Sequence, residues 1–133
     1  MTYIGFVDDA SRSTQNLSSV ARVIYSPSNE LVSIHGVCLS QMTNNIVEYS
    51  VVIELLVDAI TFGIWHLIVR LDSQLIVLHL NSVYKVRSSL MLRIFLWVHL
   101  FERWFDYIEY QHILRSLNKL TNALANNVLN RHL

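Results

Sequence analysis

Two short stretches hold the residue types that could do chemistry here: Thr43-Asn44-Asn45-Ile46-Val47-Glu48-Tyr49 and Leu71-Asp72-Ser73-Gln74-Leu75. Between them runs a long apolar segment, Val51 to Phe62, which stops at Gly63 and is followed by the β-rich run Trp65 to Leu71. A Thr in the N-cap manner and a glycine at the C′ position mark this segment as a helix. The reading places Glu48 in the second turn of that helix and Asp72 at the C-terminal end of the next strand. In open α/β sheets, sites are built in the crevice at the carboxyl ends of the strands. Two carboxylates aimed at one crevice repel each other unless a cation lies between them, so divalent-cation chemistry is the expectation.

The elements that must position these groups follow from pattern and punctuation. Thr2 to Asp8 reads as a short apolar strand ending on an aspartate, and the polar stretch Ser11 to Ser19 as a loop or hairpin connection. Val20 to Tyr25 and Leu31 to Leu39 read as two further strands around the turn Ser26-Pro27-Ser28-Asn29, giving a three-stranded antiparallel meander. A helix from about Thr43 to Phe62 and a fourth strand from Trp65 to Leu71 follow. Ser73 or Asp72 caps a second helix, roughly Ser73 to Asn81, and a loop runs to Arg87. A third helix covers about 89 to 104, Tyr107 to His112 alternates as a fifth strand, and Asn118 caps a last helix reaching about Asn130. The order is βββαβααβα, one α/β domain over residues 1–133 with a mixed sheet flanked by helices.

Composition narrows the function classes. Hydrophobic residues make up 53% and charged residues only 15%, below the roughly 25% of ordinary soluble domains. Ten basic and ten acidic residues cancel, so no basic excess supports a grip on nucleic acid through phosphates alone. The single Cys38 excludes an internal disulfide, and the six histidines lack zinc-ligand spacing. Asp8 and Asp9 interrupt any N-terminal apolar leader. Arg93, His99, Glu102 and Arg103 break up the most apolar stretch, so no membrane span and an intracellular location are expected.

The ordered set TNNIVEY and LDSQL, with Phe6-Val7-Asp8-Asp9-Ala10-Ser11-Arg12 before it, resembles the ribonuclease H-like domain carried by plant retrotransposons. At the other end, His112-Ile113-Leu114-Arg115, Asn118-Lys119 and Asn122-Ala123-Leu124-Ala125-Asn126 are similar to the closing segment of that family. The resemblance implies a ribonuclease H-like fold, with three antiparallel strands followed by two parallel ones. It also implies hydrolysis of the RNA strand of an RNA–DNA hybrid, assisted by Mg2+ or Mn2+. On that reading Asp8, Glu48, Asp72 and Asn122 hold metal and His112 assists the reaction. Asn44, Asn45, Gln74 and Arg12 contact the nucleic acid, where recognition of the 2′-hydroxyl separates RNA from DNA. Where relatives carry an aspartate, Asn122 contributes a neutral amide, so four formal negative charges fall to three and weak activity is expected.

A different surface is marked on the third helix. At 100° per residue, Leu90, Ile94, Trp97, Val98, Phe101, Trp104 and Phe105 form the face expected to pack on the sheet. Leu92, Phe95 and Leu96 fall on the other side and are expected to be exposed, as an interface for a partner chain or homodimer. This supports an alternative function, a catalytically inactive domesticated fold working as a protein-interaction module.

Overall fold

The computed structural model of the chain describes residues 1–12, 17–40, 44–81 and 89–114. Five strands form one sheet: β1 (Tyr3–Arg12), β2 (Leu17–Tyr25), β3 (Leu31–Ser40), β4 (His66–Leu71) and β5 (Tyr107–His112). Among the described residues three helices accompany them: α1 (Asn44–Thr61), α2 (Gln74–Leu80) and α3 (Ser89–Glu102). The sheet order is β3-β2-β1-β4-β5. The first three strands pair antiparallel, while β4 runs parallel to β1 and β5 parallel to β4. This is the mixed arrangement expected from the sequence. The expected helix after Asn118, together with Asn122 and Arg115, lies outside the described residues.

The local reasons are visible at the element ends. Gly63 adopts φ 72° and its N–H donates to Ile60, while the N–H of Ile64 reaches back to Ala59 at 2.9 Å. This 5→2 and 6→1 pair is the Schellman stop. Ser73 Oγ accepts the N–H of Ile76, which starts α2. In the β2–β3 turn the N–H of Asn29 donates to the Ser26 carbonyl at 2.9 Å, and Asn29 takes a φ of 66°. Asparagine tolerates that left-handed conformation better than most side chains do.

Between Ser11 and Ser19 the structure takes the hairpin form of the expected connection, with the strands longer than expected. Most of that stretch is strand rather than loop: Ala10 pairs with Ser19, Ser11 with Ser18 and Arg12 with Leu17. The ladder nucleated by Phe6-Val7 and Val20–Tyr25 simply continues, because strand propensity yields to an available pairing partner. β3 extends with it, so that Leu17 faces Ser40.

The core lies between the sheet and α1. In β4, Leu67, Val69 and Leu71 are fully buried while His66, Ile68 and Arg70 are partly open, the period-two alternation of a sheet covered on one face. Val52, Leu55, Leu56 and Ala59 of α1 meet that face. Gly5 permits the closest approach, since a Cβ there would stand 2.6 Å from Leu55 Cδ2. Arg22 of β2 donates through Nε and Nη2 to the two carboxylate oxygens of Asp58, tying the antiparallel half of the sheet to α1. Among the described residues no helix is long and apolar enough to cross a membrane.

The inward face of α3 is turned from the expected one: the expectation held for Ile94, Val98, Phe101 and Phe105 and failed for Leu90, Trp97 and Trp104. Its buried stripe is Met91, Ile94, Phe95 and Val98, with Phe101 and Phe105 continuing it. Phe95 is therefore packed against the core, edge-on to His99 at 4.3 Å, rather than exposed. Leu90, Trp97 and Trp104, expected inward, are about half exposed. Leu92 and Leu96 are exposed as expected. The helix is apolar nearly all round, so the wheel had no polar side to fix its rotation. Ile94, Val98 and Phe101 fit either rotation, and the burial of Met91 and Phe95 in place of Leu90 and Trp97 separates them.

Candidate active site

Chain direction brings the acidic residues to one end of the sheet. β3 and β4 both run parallel to β1, so the crossover helix α1 runs back against all three strands. Leu55 sits over Gly5. Seven residues earlier, about 10.5 Å along the helix, comes Glu48. Three residues further along β1, about 10 Å, comes Asp8. Glu48 and Asp8 thus stand at the same level, beyond the last turn of core packing. The β1–β4 register pairs Val7 with Leu71, and the next residue on each strand is Asp8 and Asp72. Adjacent strands lie roughly 4.8 Å apart, so these two carboxylates are neighbours at the carboxyl end of the sheet.

His112 belongs to the same end, since it pairs with Leu71 across β4 and β5. It is exposed, as is Gln74 at the start of α2. Asn44 and Asn45 open α1, and Arg12 ends β1. The placement of these last three side chains, like that of Asn122, lies outside what is described.

Burial sorts the acids. Asp8 is 0% exposed and Glu48 3%, while Asp72 is partly open. Carboxylates are rarely buried unless they are paired or bind a cation. As donors they are hard and anionic, the type that holds magnesium or manganese. Among the described residues, however, no three of His, Cys, Asp and Glu are gathered into a group that could hold a metal ion. The donor chemistry fits a divalent cation, and the topology brings the donors to one end without closing them into a cage.

Contacts that sequence reasoning did not anticipate hold this end in place. Tyr49, next to Glu48, is fully buried and stacks on His79 of α2, with ring centroids 6.2 Å apart and planes 19° from parallel. Burial raises the Tyr49 phenol above its ordinary value, so it stays neutral. Asn81 closes α2 and donates from Nδ2 to the Tyr110 carbonyl at 3.2 Å, fixing α2 to β5. Only the i, i+3 spacing of Ile76, His79 and Leu80 signalled that His79 faces inward.

His79 also carries a pH dependence. Burial lowers its pKa from the ordinary 6.5. The unfolded chain therefore takes up this proton first as pH falls, and the native state loses stability from 6.5 down to the lowered native value. Above 6.5 the contribution is complete. We expect the thermal midpoint of the wild type to fall more between neutral pH and about pH 5 than that of His79→Phe, which keeps the stacking ring without the titration. Parallel melting curves at both pH values would check this; equal slopes would contradict it.

With the fold and the acidic end in place, comparison with known proteins decides the family. The profile described as reverse transcriptase-like matches residues 6–128. The chain belongs to that family. Ribonuclease HI of Halobacterium salinarum is 29% identical over 124 residues, 93% of this chain and 62% of that protein. The bifunctional protein Rv2228c of Mycobacterium tuberculosis is 29% identical over 91 residues, 68% of this chain and 25% of that protein. This chain therefore spans about a quarter of the mycobacterial relative. The crystal structure of ribonuclease H1 from H. salinarum matches with a TM-score of 0.90 at 28% identity, covering 98% of this chain and 99% of that one. LC11-RNase H1, solved in complex with an RNA/DNA hybrid, matches with a TM-score of 0.88 at 24% identity, over 98% of each chain. The fold is that of ribonuclease H.

Proposed function

We propose that the chain is a divergent ribonuclease H that hydrolyses the RNA strand of RNA–DNA hybrids weakly and with a divalent metal. One observation carries this reading most: Asp8, Glu48 and Asp72, far apart in sequence, arrive at one end of a ribonuclease H sheet, with Asp8 and Glu48 buried. The relative named ribonuclease HI and the hybrid bound by LC11-RNase H1 support the substrate class. A retroelement origin rests on the motifs TNNIVEY, LDSQL and Ala10-Ser11-Arg12.

In this proposal Asp8, Glu48 and Asp72 would hold Mg2+ or Mn2+, with Asn122 as a neutral fourth donor. The metal would supply an activated water and charge neutralisation at the scissile phosphate. The chain's own groups do the rest. Gln74 at the start of α2 and His112 at the end of β5, both exposed, are proposed to meet the hybrid, and His112 is the candidate for moving a proton to or from the cleaved strand. Asn44, Asn45 and Arg12 open α1 and end β1 at the same end; they are proposed to contact sugars and phosphates. Formal neutrality of the whole chain means that binding should depend on such local contacts more than on overall attraction.

The experiment is a cleavage assay joined to metal titration. Asn122→Asp restores the fourth negative charge and should tighten Mg2+ or Mn2+ binding and raise hybrid cleavage by roughly tenfold, about 1.4 kcal/mol. It should also make the unfolding midpoint more sensitive to added metal, through ligand linkage. If Asn122→Asp binds metal tightly and still leaves the hybrid intact, hydrolysis is not the function.

A further inference from the structure

The surface that the ribonuclease reading leaves unused is the outer face of α3. Leu90 and Trp97 stand seven residues apart within α3, Arg93 and Leu100 lie three residues after each, and Trp104 follows in the turn just past the helix end. That 3–4 spacing is the seam of a helix that packs against another helix. In this structure the seam faces outward: Leu90 is 49% exposed, Trp97 55%, Leu100 46% and Trp104 58%, with Leu96 at 58% beside them. Arg93, Leu96, Trp97 and Leu100 line a shallow groove along it. Trp97 is held in place by stacking on Phe101, with centroids 6.1 Å apart. A large aromatic anchor fixed before binding is typical of an interface centre.

We propose that this face binds a second copy of the same chain, with the two α3 helices antiparallel about a twofold axis at Trp97. Area, charge and spacing each favour that occupant. The five apolar side chains leave roughly 600 Å² open, most of the roughly 800 Å² per partner in a standard interface. The chain carries no formal net charge, so two copies do not repel at long range. About that axis Leu90 comes toward the turn that carries the partner's Trp104, the two Trp97 rings meet each other, and the Arg93 stem lies over the partner's Leu100. The two Arg93 side chains are then eight residues apart along the axis, about 12 Å. A parallel pair would set Arg93 directly against Arg93, a like-charge contact in an apolar seam. The arrangement is isologous and closes on itself, so it yields dimers rather than filaments.

The test is the solution mass of the purified chain by sedimentation equilibrium across the micromolar range. The wild type should approach twice 15.4 kDa, while Trp97→Glu and, separately, Leu96→Glu should remain monomers with unchanged circular dichroism. A monomeric wild type at the highest concentration overturns the proposal, as does a dimer that survives both substitutions. Orientation is read by oxidation in a Cys38→Ser background. Arg93→Cys mixed with Leu100→Cys should crosslink, and Arg93→Cys alone should not. Ready crosslinking of Arg93→Cys alone would overturn the antiparallel arrangement.

Discussion

Asp8→Asn should cut hybrid cleavage by roughly 100- to 1000-fold while leaving the fold intact, because charge at a metal-bound phosphate is worth several kcal/mol. Asp8 is 0% exposed within β1, one residue beyond the Val7–Leu71 pairing that joins β1 to β4. The amide keeps the size and one acceptor oxygen of the carboxylate, and it removes the charge. Stability without metal should hold or rise slightly, since one repulsive charge among neighbouring carboxylates is gone. The stabilisation by added Mg2+ should shrink in parallel with the rate. Unchanged cleavage in Asp8→Asn would mean that hydrolysis happens elsewhere or comes from a contaminant. Assays of both proteins from the same preparation protocol, read on gels with a labelled RNA strand, would measure it.

The second large effect concerns stability. Asp58→Ala should lower the unfolding free energy by about 3 kcal/mol, as expected when one member of a buried ion pair is removed. The Arg22 side chain is 12% exposed and that of Asp58 14%, so alanine leaves a guanidinium largely out of water. Glu54 stands 3.8 Å from Arg22 Nη2, with its side chain 59% exposed, and offers only a weak substitute. The double variant Arg22→Met with Asp58→Leu should recover most of the loss, because well-packed apolar pairs often match buried ion pairs. Urea unfolding of the three proteins would check this. A loss under about 0.5 kcal/mol for Asp58→Ala would show that the pair contributes no more than a surface contact.

Much of the acidic end was legible because strong local signals coincide there. The apolar run of α1, its glycine stop at Gly63 and the alternation of β4 each have one physical solution. Together they fix where Glu48 and Asp72 emerge. The β1–β2 ladder past Ala10 was not legible, since Ser11, Ser18 and Ser19 carry loop chemistry and become strand only through the partner they find. The rotation of α3 failed for a related reason. Two overlapping apolar stripes share Ile94, Val98 and Phe101, and only tertiary packing turns Met91 and Phe95 inward rather than Leu90 and Trp97. The stacking of His79 on Tyr49 was equally hidden, because a histidine in a short helix gives no sign of what will cover it.

The most direct test of the central claim is cleavage of one labelled RNA, offered as a hybrid with DNA and as a single strand, with Mg2+, with Mn2+ and with chelator. The expected result is slow, metal-dependent cleavage of the hybrid alone, faster in Asn122→Asp and lost in Asp8→Asn. An intact hybrid under every metal condition, for both the wild type and Asn122→Asp, would contradict it.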